Sequence, residues 1–479
     1  MIEEAFGGST LQNKIFNIAV REDVEPKMKV AVIGCGYVGL TTGAALAYLG
    51  HEVIGVDKDE SKLDLLMKRE SPIHEQGLGE LLKDDDCGIT FTADTAGAVA
   101  DAEVIMIAVG TPQKENGEAN TYYVEEAARE VAAGLKDGRS YTLVIKSTVP
   151  IGTNRRVAHV VRRALAERGI EVWVNFASNP EFLREGMALR DTFYPDRIVV
   201  GAESPEAVEA LRRLYRPFLE QTFEPPIFLP RPEGYGLPPL ITTDPTSAEM
   251  IKYASNAFLA VKISFINEIA GLCDKVGADV TEVARGMGLD PRIGSRFLGA
   301  GLGWGGSCFP KDTAALLAVG TEYGYTMPIV QAARDVNARQ RLLILEKLQA
   351  ALKVLRGRTI GVLGLSFKPN TDDVRESPAL DVIRLLSERG AHVQAHDPVA
   401  VPRAVEALKG LEVEFKESPY EAAAGADALI LATEWDEYRY LDLKELARRM
   451  RNPVLVDGRN IYRREEAEDA GLTYMGVGR

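Results

Sequence analysis

Short runs of aliphatic and β-branched residues alternate with helix-length segments through the first part of the chain. These runs predict buried strands at residues 28–34, 52–57, 104–109, 142–146 and 172–176, and a further strand, at residues 197–201, on a sheet edge. The first intervening segment, residues 40–49, is predicted to be helical. Regular alternation of strands and helices indicates βαβ units, so we expect a doubly wound α/β sheet here.

The middle of the chain has a different pattern. Residues 221–245 are rich in proline and glycine, which predicts a loop or linker. Residues 248–277 contain no proline and place apolar residues at helical spacing, so we expect one long helix with Asp244 or Thr246 as its cap. Such a helix often spans domains or packs against a partner. Shorter helices are expected as far as residue 348.

The last part of the chain repeats the pattern of the first. Strands are predicted at residues 359–364, 393–397, 428–433 and 454–457. The first strand ends in glycine in both halves (Gly34, Gly364), and the second ends in aspartate (Asp57, Asp397). We therefore predict an α/β protein with two Rossmann-like doubly wound domains joined by a helical central domain. The predicted segments are residues 1–27 (an N-terminal extension), 28–220, 221–245 (the linker), 246–350 and 351–479.

Composition narrows the possible partners. The 479-residue chain carries a formal charge of -14, which disfavours nucleic acid and anionic membranes because both attract a basic surface. No window of about 18 apolar residues is evident, so we expect no membrane span. Residues 1–27 lack the apolar core of a signal peptide. Four cysteines without a CxxC pair, and five unclustered histidines, predict free thiols, a cytoplasmic location and no bound metal.

A GxGxxG motif closes the first predicted strand and opens the first predicted helix. Gly34 would permit the tight turn, Gly36 the approach of backbone N–H groups to a pyrophosphate, and Gly39 close helix–strand packing. Asp57, at the end of the second strand, would accept hydrogen bonds from the adenosine ribose and repel a 2′-phosphate. The motif therefore predicts NAD rather than NADP. The alternative, that these glycines only serve a tight turn, is weakened by the strand–turn–helix context.

The second Rossmann-like half lacks this motif. Gly364 is followed by Ser366, Phe367 and Lys368 instead of further glycines. A lysine and an aromatic ring at the carboxyl end of a strand suit one phosphate and one flat base. Nucleotide-binding features in both halves indicate a substrate that carries a nucleotide.

A glycine-rich loop around Cys308 predicts the reactive site. Residues 301–312 hold four glycines, Cys308, Lys311 and Asp312, and glycines allow a ligand to approach the backbone closely. Pro310 suits the first turn of a helix that begins here. A nearby ammonium or a helix N-terminus would favour the thiolate, which is the nucleophilic form. The alternative is an inert cysteine buried in a turn, and the surrounding glycines, lysine and aspartate disfavour it.

These motifs resemble those of one family in type and in order. They are found at residues 34–39, 110–112, 146–150, 179–186, 249–256, 291–294, 305–312, 367–377 and 457–459. From about Met28 to Ile461 the chain is similar to the UDP-glucose/GDP-mannose dehydrogenase family. The stretch at 225–239 and the extension at 1–27 look longer than is usual in that family. Neither touches a catalytic motif.

The resemblance implies an oxidation in two steps, each with one NAD+. Cys308 matches the family nucleophile, which traps an aldehyde as a thiohemiacetal and then carries a thioester that water hydrolyses to a uronate. Lys252 and Asn256, which share a helix face, match the pair that steadies the oxygen at C6. Asp312 and Glu181 match the carboxylates that handle protons and water, and which one is the base in each step stays open. Thr148 matches a further catalytic position.

The resemblance also implies contact residues. The predicted cofactor-binding positions are Gly34, Gly36, Tyr37, Val38, Gly39, Asp57, Lys62, Thr111, Thr148, Glu185, Lys311 and Arg375. The predicted substrate-binding positions are Glu181, Phe182, Leu183, Arg184, Glu185, Lys252, Asn256, Arg292, Phe297, Gly299, Gly301, Gly303, Gly305, Phe367, Lys368 and Arg459. Arg292 matches an arginine that reaches the site of a neighbouring subunit, which implies a homodimer or a larger homo-oligomer.

The substrate expected from the resemblance is UDP-glucose. The resemblance also implies that residues 28–220 bind NAD and that residues 351–479 bind the UDP-sugar. UDP-N-acetylmannosamine and GDP-mannose are alternatives with the same chemistry. Two alternatives differ in kind. A two-electron hydroxyacid-type dehydrogenase would need no thiolate, and a non-catalytic nucleotide-sugar-binding protein would need no NAD loop. The coexistence of GxGxxG and the Cys308 loop argues against both.

Overall fold

The computed structural model describes residues 27–479, so the predicted extension at 1–27 lies outside the described residues apart from Lys27. The first domain is built on one sheet whose strands are short, apolar and mostly buried. Its strands are β1 Lys29–Ile33, β2 Glu52–Val56, β3 Thr90–Thr92, β4 Val104–Ile107, β5 Ser140–Ile145, β6 Trp173–Ser178, β7 Ile198–Ala202 and β8 Leu240–Thr243. The order across the sheet is β3-β2-β1-β4-β5-β6-β7-β8, and β6 and β7 form its antiparallel pair.

Helices cover both faces of this sheet, and each face has its own apolar core. The helices are α1 Tyr37–Tyr48, α2 Glu60–Met67, α3 Leu78–Lys83, α4 Thr95–Val99, α5 Tyr122–Gly134, α6 Thr153–Arg168, α7 Ala188–Phe193 and α8 Pro205–Glu220. Core residues on both faces of the parallel strands explain their unbroken apolar runs. The prediction of a doubly wound first domain is confirmed.

The proline- and glycine-rich segment 221–245 differs from the prediction. Its last residues form β8, which pairs in parallel with β7, so β7 lies inside the sheet and the edge is β8. The segment also packs back on the first domain. The Tyr235 hydroxyl donates to the Pro195 carbonyl at 2.7 Å, and the Tyr194 hydroxyl donates to the Leu229 carbonyl at 2.8 Å. Prolines and a mixed polar pattern in the segment concealed this strand.

The central part of the chain is helical. The long helix α9 spans Pro245–Val276, and Asp244 caps it by accepting a hydrogen bond from the Ser247 N–H at 2.9 Å. It is followed by α10 Val280–Gly288, α11 Phe309–Glu322 and α12 Pro328–Leu352. Helix α9 packs against α11, α12 and β7, so it joins the first sheet to the rest of the molecule. The predicted long central helix is confirmed.

The last domain is a second parallel sheet. Its strands are β9 Thr359–Leu363, β10 His392–His396, β11 Val413–Phe415, β12 Ala428–Leu431, β13 Val454–Asp457 and β14 Thr473–Gly476. The order β11-β10-β9-β12-β13-β14 matches the first six strands of the first domain, which confirms the second Rossmann-like fold. The helices are α13 Pro378–Glu388, α14 Val401–Ala407, α15 Pro419–Ala423, α16 Asp436–Arg439, α17 Leu443–Arg449 and α18 Arg464–Asp469.

One helix of the described chain, α9, is long and apolar enough to cross a membrane by length and composition alone. This corrects the sequence-based expectation that no such window exists. Nearly half of the window is buried inside the protein, and the helix carries the buried polar residues Glu249, Lys252, Asn256 and Asn267. The core helix of a globular protein passes the same composition test. The buried polar residues of α9 and its packing against α11, α12 and β7 are typical of such a core helix.

Candidate active site

A cleft of about 1070 Å³ lies where the first domain, α9 and the loops of the last domain meet. It contains Cys308 and most of the side chains predicted to bind substrate. Those that line it are Glu181, Phe182, Leu183, Arg184, Glu185, Lys252, Asn256, Phe297, Gly299, Gly303, Gly305, Phe367, Lys368 and Arg459. Three separate parts of the chain supply them, so the cleft exists only in the folded three-part assembly.

Cys308 lies immediately before α11, and Pro310 occupies the first turn of that helix as predicted. Cys35, Cys87 and Cys273 are buried, whereas Cys308 is partly exposed, and all four are free thiols. Desolvation raises the pKa of the Cys308 thiol, and the Lys252 ammonium opposes that rise without cancelling it. Burial, aided by the carboxylates Glu181 and Asp312, therefore opposes the resting thiolate that the nearby cations led us to expect.

Lys252 and Glu181 form a buried ion pair beside the thiol. The ammonium lies 2.9 Å from a carboxylate oxygen of Glu181, and the two side chains are only 4% and 6% exposed. Burial is the largest single influence and opposes both charges, but the ion-pair partner and the neighbouring groups together outweigh it: the pKa of Lys252 is raised and that of Glu181 is lowered. Cys308 and Asp312 also raise the pKa of Lys252. The cleft thus holds a charged ammonium close to the sulfur.

A second polar pair joins α9 to α11. Asn256, one helical turn after Lys252, donates from Nδ2 to a carboxylate oxygen of Asp312 at 2.6 Å. Asp312 is fully buried, and Lys311 pairs with its other oxygen. Lys252 and Asn256 therefore share one face of α9, as predicted from their spacing. That face points toward Cys308 and Asp312, which stand at the start of α11.

The dinucleotide loop has the geometry of a pyrophosphate cradle. Gly34 has φ +100°, and a Cβ on Gly39 would lie 1.8 Å from the Gly34 carbonyl oxygen, so close helix–strand packing excludes a side chain there. A Cβ on Gly36 would meet no atom within 4 Å, which leaves the N-terminus of α1 open to a ligand. Tyr37 and Val38 form the first turn of α1 and are half-buried.

Asp57 lies at the end of β2, as expected. Its carboxylate accepts the Cys35 N–H at 2.9 Å and the Asp59 N–H at 3.0 Å, and Lys62 lies 3.6 Å away. Burial raises the pKa of the Cys35 thiol to about 12, which suits a small packing residue rather than a reactive one. The open Gly36, the free helix N-terminus and the partly exposed Asp57 fit the pyrophosphate and ribose of NAD.

The remaining predicted cofactor positions fall into two groups. Near the dinucleotide loop, the Thr111 hydroxyl donates to the backbone carbonyl of Thr148 at 2.7 Å, and Thr148 itself does not line the cleft. On the Cys308 side, Ser307 donates to Glu185, and Arg375 pairs with the same carboxylate at 3.3 Å. Burial and the Asp373 carboxylate raise the pKa of Glu185. A chain of polar contacts therefore runs from Arg375 to the residue next to the thiol.

The loop glycines serve close packing as well as ligand approach. A Cβ on Gly301 would lie 2.4 Å from the Gly458 carbonyl oxygen, one on Gly303 would lie 2.3 Å from Asn337 Oδ1, and one on Gly305 would lie 2.0 Å from the Glu376 carbonyl oxygen. Gly301 does not line the cleft, whereas Gly299 has open space around it. Gly299, Gly303 and Gly305 all line the cleft, so at Gly303 and Gly305 the missing side chain serves close packing and access for a ligand together.

The predicted arginines have different surroundings. Arg459 lines the cleft, donates to the Gly303 carbonyl at 3.3 Å and pairs with Glu434 at 3.2 Å. Arg184 also lines it and pairs with Asp191. Arg292 is separate: its side chain is 88% exposed, pairs with Asp290 and does not line the cleft of its own chain.

Several cleft residues were not predicted. Arg197 lies 3.7 Å from the centre of the Phe182 ring, and Lys146, Asn179 and Tyr215 form a buried polar cluster near Glu181. Lys146 belongs to the sequence motif at 146–150, directly after β5, and Asn179 belongs to the motif at 179–186, directly after β6. Both residues therefore lie at the carboxyl edge of the sheet, where ligands of such folds bind. That position was the signal that could have identified them.

Two nucleotide-binding folds that face one cleft, with a thiol between them, define a dehydrogenase acting on a nucleotide-linked substrate. The matched models are those of the UDP-glucose/GDP-mannose dehydrogenase family: its NAD binding domain at residues 28–219, its central domain at 246–339 and its UDP binding domain at 361–464. The chain belongs to this family. It has the NAD-binding domain of an NAD-dependent oxidoreductase.

Relatives in the family match nearly the whole chain. The UDP-glucose 6-dehydrogenase of Rhizobium meliloti is 46% identical over 94% of this chain and 100% of its own length. The UDP-glucose 6-dehydrogenase TuaD of Bacillus subtilis is 44% identical over 94% of this chain and 93% of its own length. The solved UDP-glucose dehydrogenase of Pyrobaculum islandicum is 41% identical, with a TM-score of 0.84 over 95% of this chain and 99% of its own.

Proposed function

We propose that this chain oxidises UDP-glucose to UDP-glucuronate with two NAD+, through a thioester on Cys308. The observation that carries the proposal is that Cys308 lines the cleft beside a buried Lys252–Glu181 pair and a buried Asn256–Asp312 pair. The names of the relatives, which act on UDP-glucose, support this sugar over UDP-N-acetylmannosamine and GDP-mannose.

The side chains of the cleft suit both oxidation steps. The Lys252 ammonium and the Asn256 amide stabilise negative charge on the sugar O6, first as alkoxide and then as the oxygen of a tetrahedral intermediate. The sulfur of Cys308 bonds to the aldehyde carbon as the carbonyl π bond breaks, and the thiol proton ends on the former carbonyl oxygen, giving a thiohemiacetal. Loss of the hydroxyl proton, together with departure of the C–H hydrogen as a hydride, gives the thioester. NAD bound to the first domain would supply the acceptor for one hydride in each oxidation.

Hydrolysis then frees the enzyme. Water adds to the thioester carbon, the C–S bond breaks, the uronate leaves and the sulfur recovers a proton. Glu181 and Asp312 are the carboxylates placed to move these protons, since both are buried next to Lys252 and Cys308. Because burial raises the pKa of Cys308, the thiol loses its proton only as it attacks.

The two outer domains divide the ligands between them. We propose that residues 28–220 bind NAD through Gly34, Gly36, Gly39 and Asp57, with Thr111, Thr148, Lys311, Glu185 and Arg375 nearer the nicotinamide. In the last domain, residues 351–479, Phe367, Lys368 and Arg459 bind the UDP moiety. The loop at 181–185 and the loop at 297–305 hold the sugar between them.

We further propose a cytoplasmic homodimer. Helix α9 leaves Met250, Phe258, Phe265, Leu272 and Val276 exposed, an apolar surface that a second copy of the chain would cover. Arg292, which is exposed and lies outside its own cleft, would then reach the partner's substrate. Four free cysteines suit a reducing compartment.

A nucleotide-sugar panel tests the proposal. UDP-glucose, UDP-N-acetylmannosamine and GDP-mannose are each supplied with NAD+, and NADH is counted per sugar consumed. We expect two NADH per UDP-glucose and a uronate product. One NADH per sugar would indicate a two-electron dehydrogenase, binding without turnover would indicate a non-catalytic binder, and a preference for another sugar would refute the substrate.

A further inference from the structure

The glycine loop of the cleft, residues 299–306, is anchored through its own backbone. Two of its N–H groups bind to the last domain: that of Leu302 donates to the Gly458 carbonyl at 3.1 Å, and that of Gly306 donates to the Arg375 carbonyl at 2.9 Å. A buried N–H group needs an acceptor within the protein, because water cannot reach it. The loop is therefore fixed on the domain that we propose to bind the UDP moiety.

Two buried asparagines of the central helices accept further N–H groups of the loop. Asn267 on α9 accepts the Gly301 N–H at 2.8 Å, and Asn337 on α12 accepts the Trp304 N–H at 2.7 Å. The Asn337 amide also donates to the Trp304 carbonyl at 3.0 Å, so one side chain binds both backbone groups of one residue. Facing residues of antiparallel strands exchange two bonds in the same way. Asn337 therefore acts toward the loop as a neighbouring strand would.

The side chain of Trp304 is held as firmly as its backbone. The indole N–H donates to the Ser264 hydroxyl at 3.0 Å, and that hydroxyl donates to the Ala333 carbonyl of α12 at 2.7 Å. The Arg341 guanidinium adds a bond to the Trp304 carbonyl at 3.3 Å. Trp304 is only 6% exposed but lines the cleft, and both of its neighbours in the chain are glycines. The indole is thus the side chain that this stretch contributes to the cleft wall.

We propose that Asn337 is a positioning residue: by binding both backbone groups of Trp304, it holds the loop at 299–306 in the shape that accepts the sugar. The inference rests on the proposed function, in which this loop contacts the substrate. Asn337 itself does not line the cleft. A preformed loop loses little conformational freedom when it binds, so an anchor of this kind raises affinity without touching the ligand. Cys308, at the start of α11, and Lys252, on α9, are held by other elements, so the anchor governs binding more than the chemical steps.

Steady-state kinetics of Asn337→Ala separate this role from a structural one. The truncation leaves two buried backbone groups of Trp304 without their partner, so the loop loosens. We expect KM for UDP-glucose to rise about tenfold, with KM for NAD and kcat each within about threefold of the wild type. Gln340→Ala is the matched control, because Gln340 is a buried amide on the same helix whose Oε1 has no hydrogen-bond partner among the described residues. It should lower the melting temperature and leave all three constants unchanged.

Fluorine NMR reports the loop directly and needs no turnover. The chain has three tryptophans, Trp173, Trp304 and Trp435, so labelling with fluorotryptophan gives three signals, and Trp304→Phe identifies that of the loop. In Asn337→Ala the Trp304 signal should shift or broaden while the other two stay in place. In Gln340→Ala all three should stay in place.

A second variant covers the case in which Asn337→Ala does not fold. Asn337→Asp keeps an acceptor for the Trp304 N–H and loses only the donor to its carbonyl, so KM for UDP-glucose should rise about threefold. An unchanged KM in the folded variants would overturn the inference, as would a raised KM with an unmoved Trp304 signal. A wild type that makes no uronate would overturn the proposed function instead, and the Trp304 signal would still show whether Asn337 fixes the loop.

Discussion

The two Rossmann-like domains share a strand order and an aspartate at the end of their second strand, yet that aspartate serves different purposes. Asp57 is partly exposed and accepts two backbone N–H groups, those of Cys35 and Asp59. Asp397 is 4% exposed and already saturated. It accepts from the Leu365, Ser366, Val399 and Ala400 N–H groups and from the Trp435 indole. We therefore propose that the same sequence signal marks a ligand-binding residue in the first domain, whereas in the last domain it marks a structural residue.

The loops after the first strand differ in the same way. In the first domain α1 begins at Tyr37, so its N-terminus directly follows the glycine loop and can meet a pyrophosphate with backbone N–H groups. In the last domain the next helix, α13, begins only at Pro378, and the intervening loop brings Phe367 and Lys368 into the cleft. We therefore propose that the first domain binds phosphate through its backbone and that the last domain binds it through side chains.

The largest expected effect tests whether both domains can still bind their ligands when the oxidation between them is abolished. Cys308→Ala removes the sulfur that carries the acyl group, so uronate formation should fall by about a thousandfold or more. Binding of NAD and of UDP-glucose, measured by calorimetry, should persist, because neither nucleotide-binding fold uses that sulfur.

The matched control for this prediction is Cys87→Ala, which removes a buried thiol from the first domain. Its sulfur contacts the Ala44 carbonyl at 3.6 Å within the apolar core of the first domain, and Cys87 does not line the cleft. Uronate formation should stay near the wild-type rate with a small loss of stability. Normal uronate yield from Cys308→Ala would contradict the thioester mechanism.

The paired aspartates allow the most direct test of the comparison. Asp57→Asn removes the charge that repels a 2′-phosphate, so the ratio of kcat/KM for NADP to that for NAD should rise about tenfold to a hundredfold. Asp397→Asn should leave that ratio unchanged and destabilise the last domain by about 1–3 kcal/mol, because buried N–H donors lose an acceptor. Steady-state kinetics and thermal unfolding measure the two effects. A shift in cofactor preference from Asp397→Asn would overturn the distinction between the domains.

Lys368 tests the contrast between backbone and side-chain recognition of phosphate. Burial lowers its pKa, although Glu185 opposes that change. Lys368→Met should raise KM for UDP-glucose about tenfold, the loss expected for one charge-assisted hydrogen bond, and leave KM for NAD unchanged. Lys409→Met, an exposed lysine of the same domain, is the control and should alter neither constant. Equal effects on both ligands would mean that the cleft closes as one unit.

Much of the fold could be predicted from sequence, because buried parallel strands have apolar residues on both faces. The strands β1, β2, β9 and β12 show this pattern. By contrast, β3, at Thr90–Thr92, is short and partly exposed, and β8 follows a run of prolines. Both form by adding to the edge of an existing sheet, so pairing with a neighbour determines them rather than their own pattern.

The candidate site shows a similar division. Spacing alone placed Lys252 and Asn256 on one helix face, because helical geometry fixes that relation. Burial of Lys146, by contrast, depends on Asn179 and Tyr215, which come from other strands and helices. The charge state of Cys308 also escaped prediction, since nearby cations are visible in a sequence and desolvation is not.

The smallest expected effect concerns the thiol of Cys308, which lies between the two Rossmann-like domains. The rate of alkylation by iodoacetamide follows the thiolate fraction. Burial raises the pKa of Cys308 above its ordinary value of 9.0, so labelling in the absence of substrate should reach half its maximal rate only above pH 9.0. Lys252→Met removes the cation that opposes this shift, so labelling at pH 8 should slow roughly threefold to tenfold.

Cys308→Ala identifies the labelled residue, since the other three thiols are buried and should react far more slowly. The prediction distinguishes two ways in which the Cys308 thiol could be activated. If labelling of the wild type were half-maximal near pH 7, the resting thiolate inferred from sequence would be correct, and Lys252 and Lys311 would dominate over burial. A midpoint above the ordinary value means instead that the sulfur is activated only during attack, once a substrate aldehyde lies beside the Lys252 ammonium.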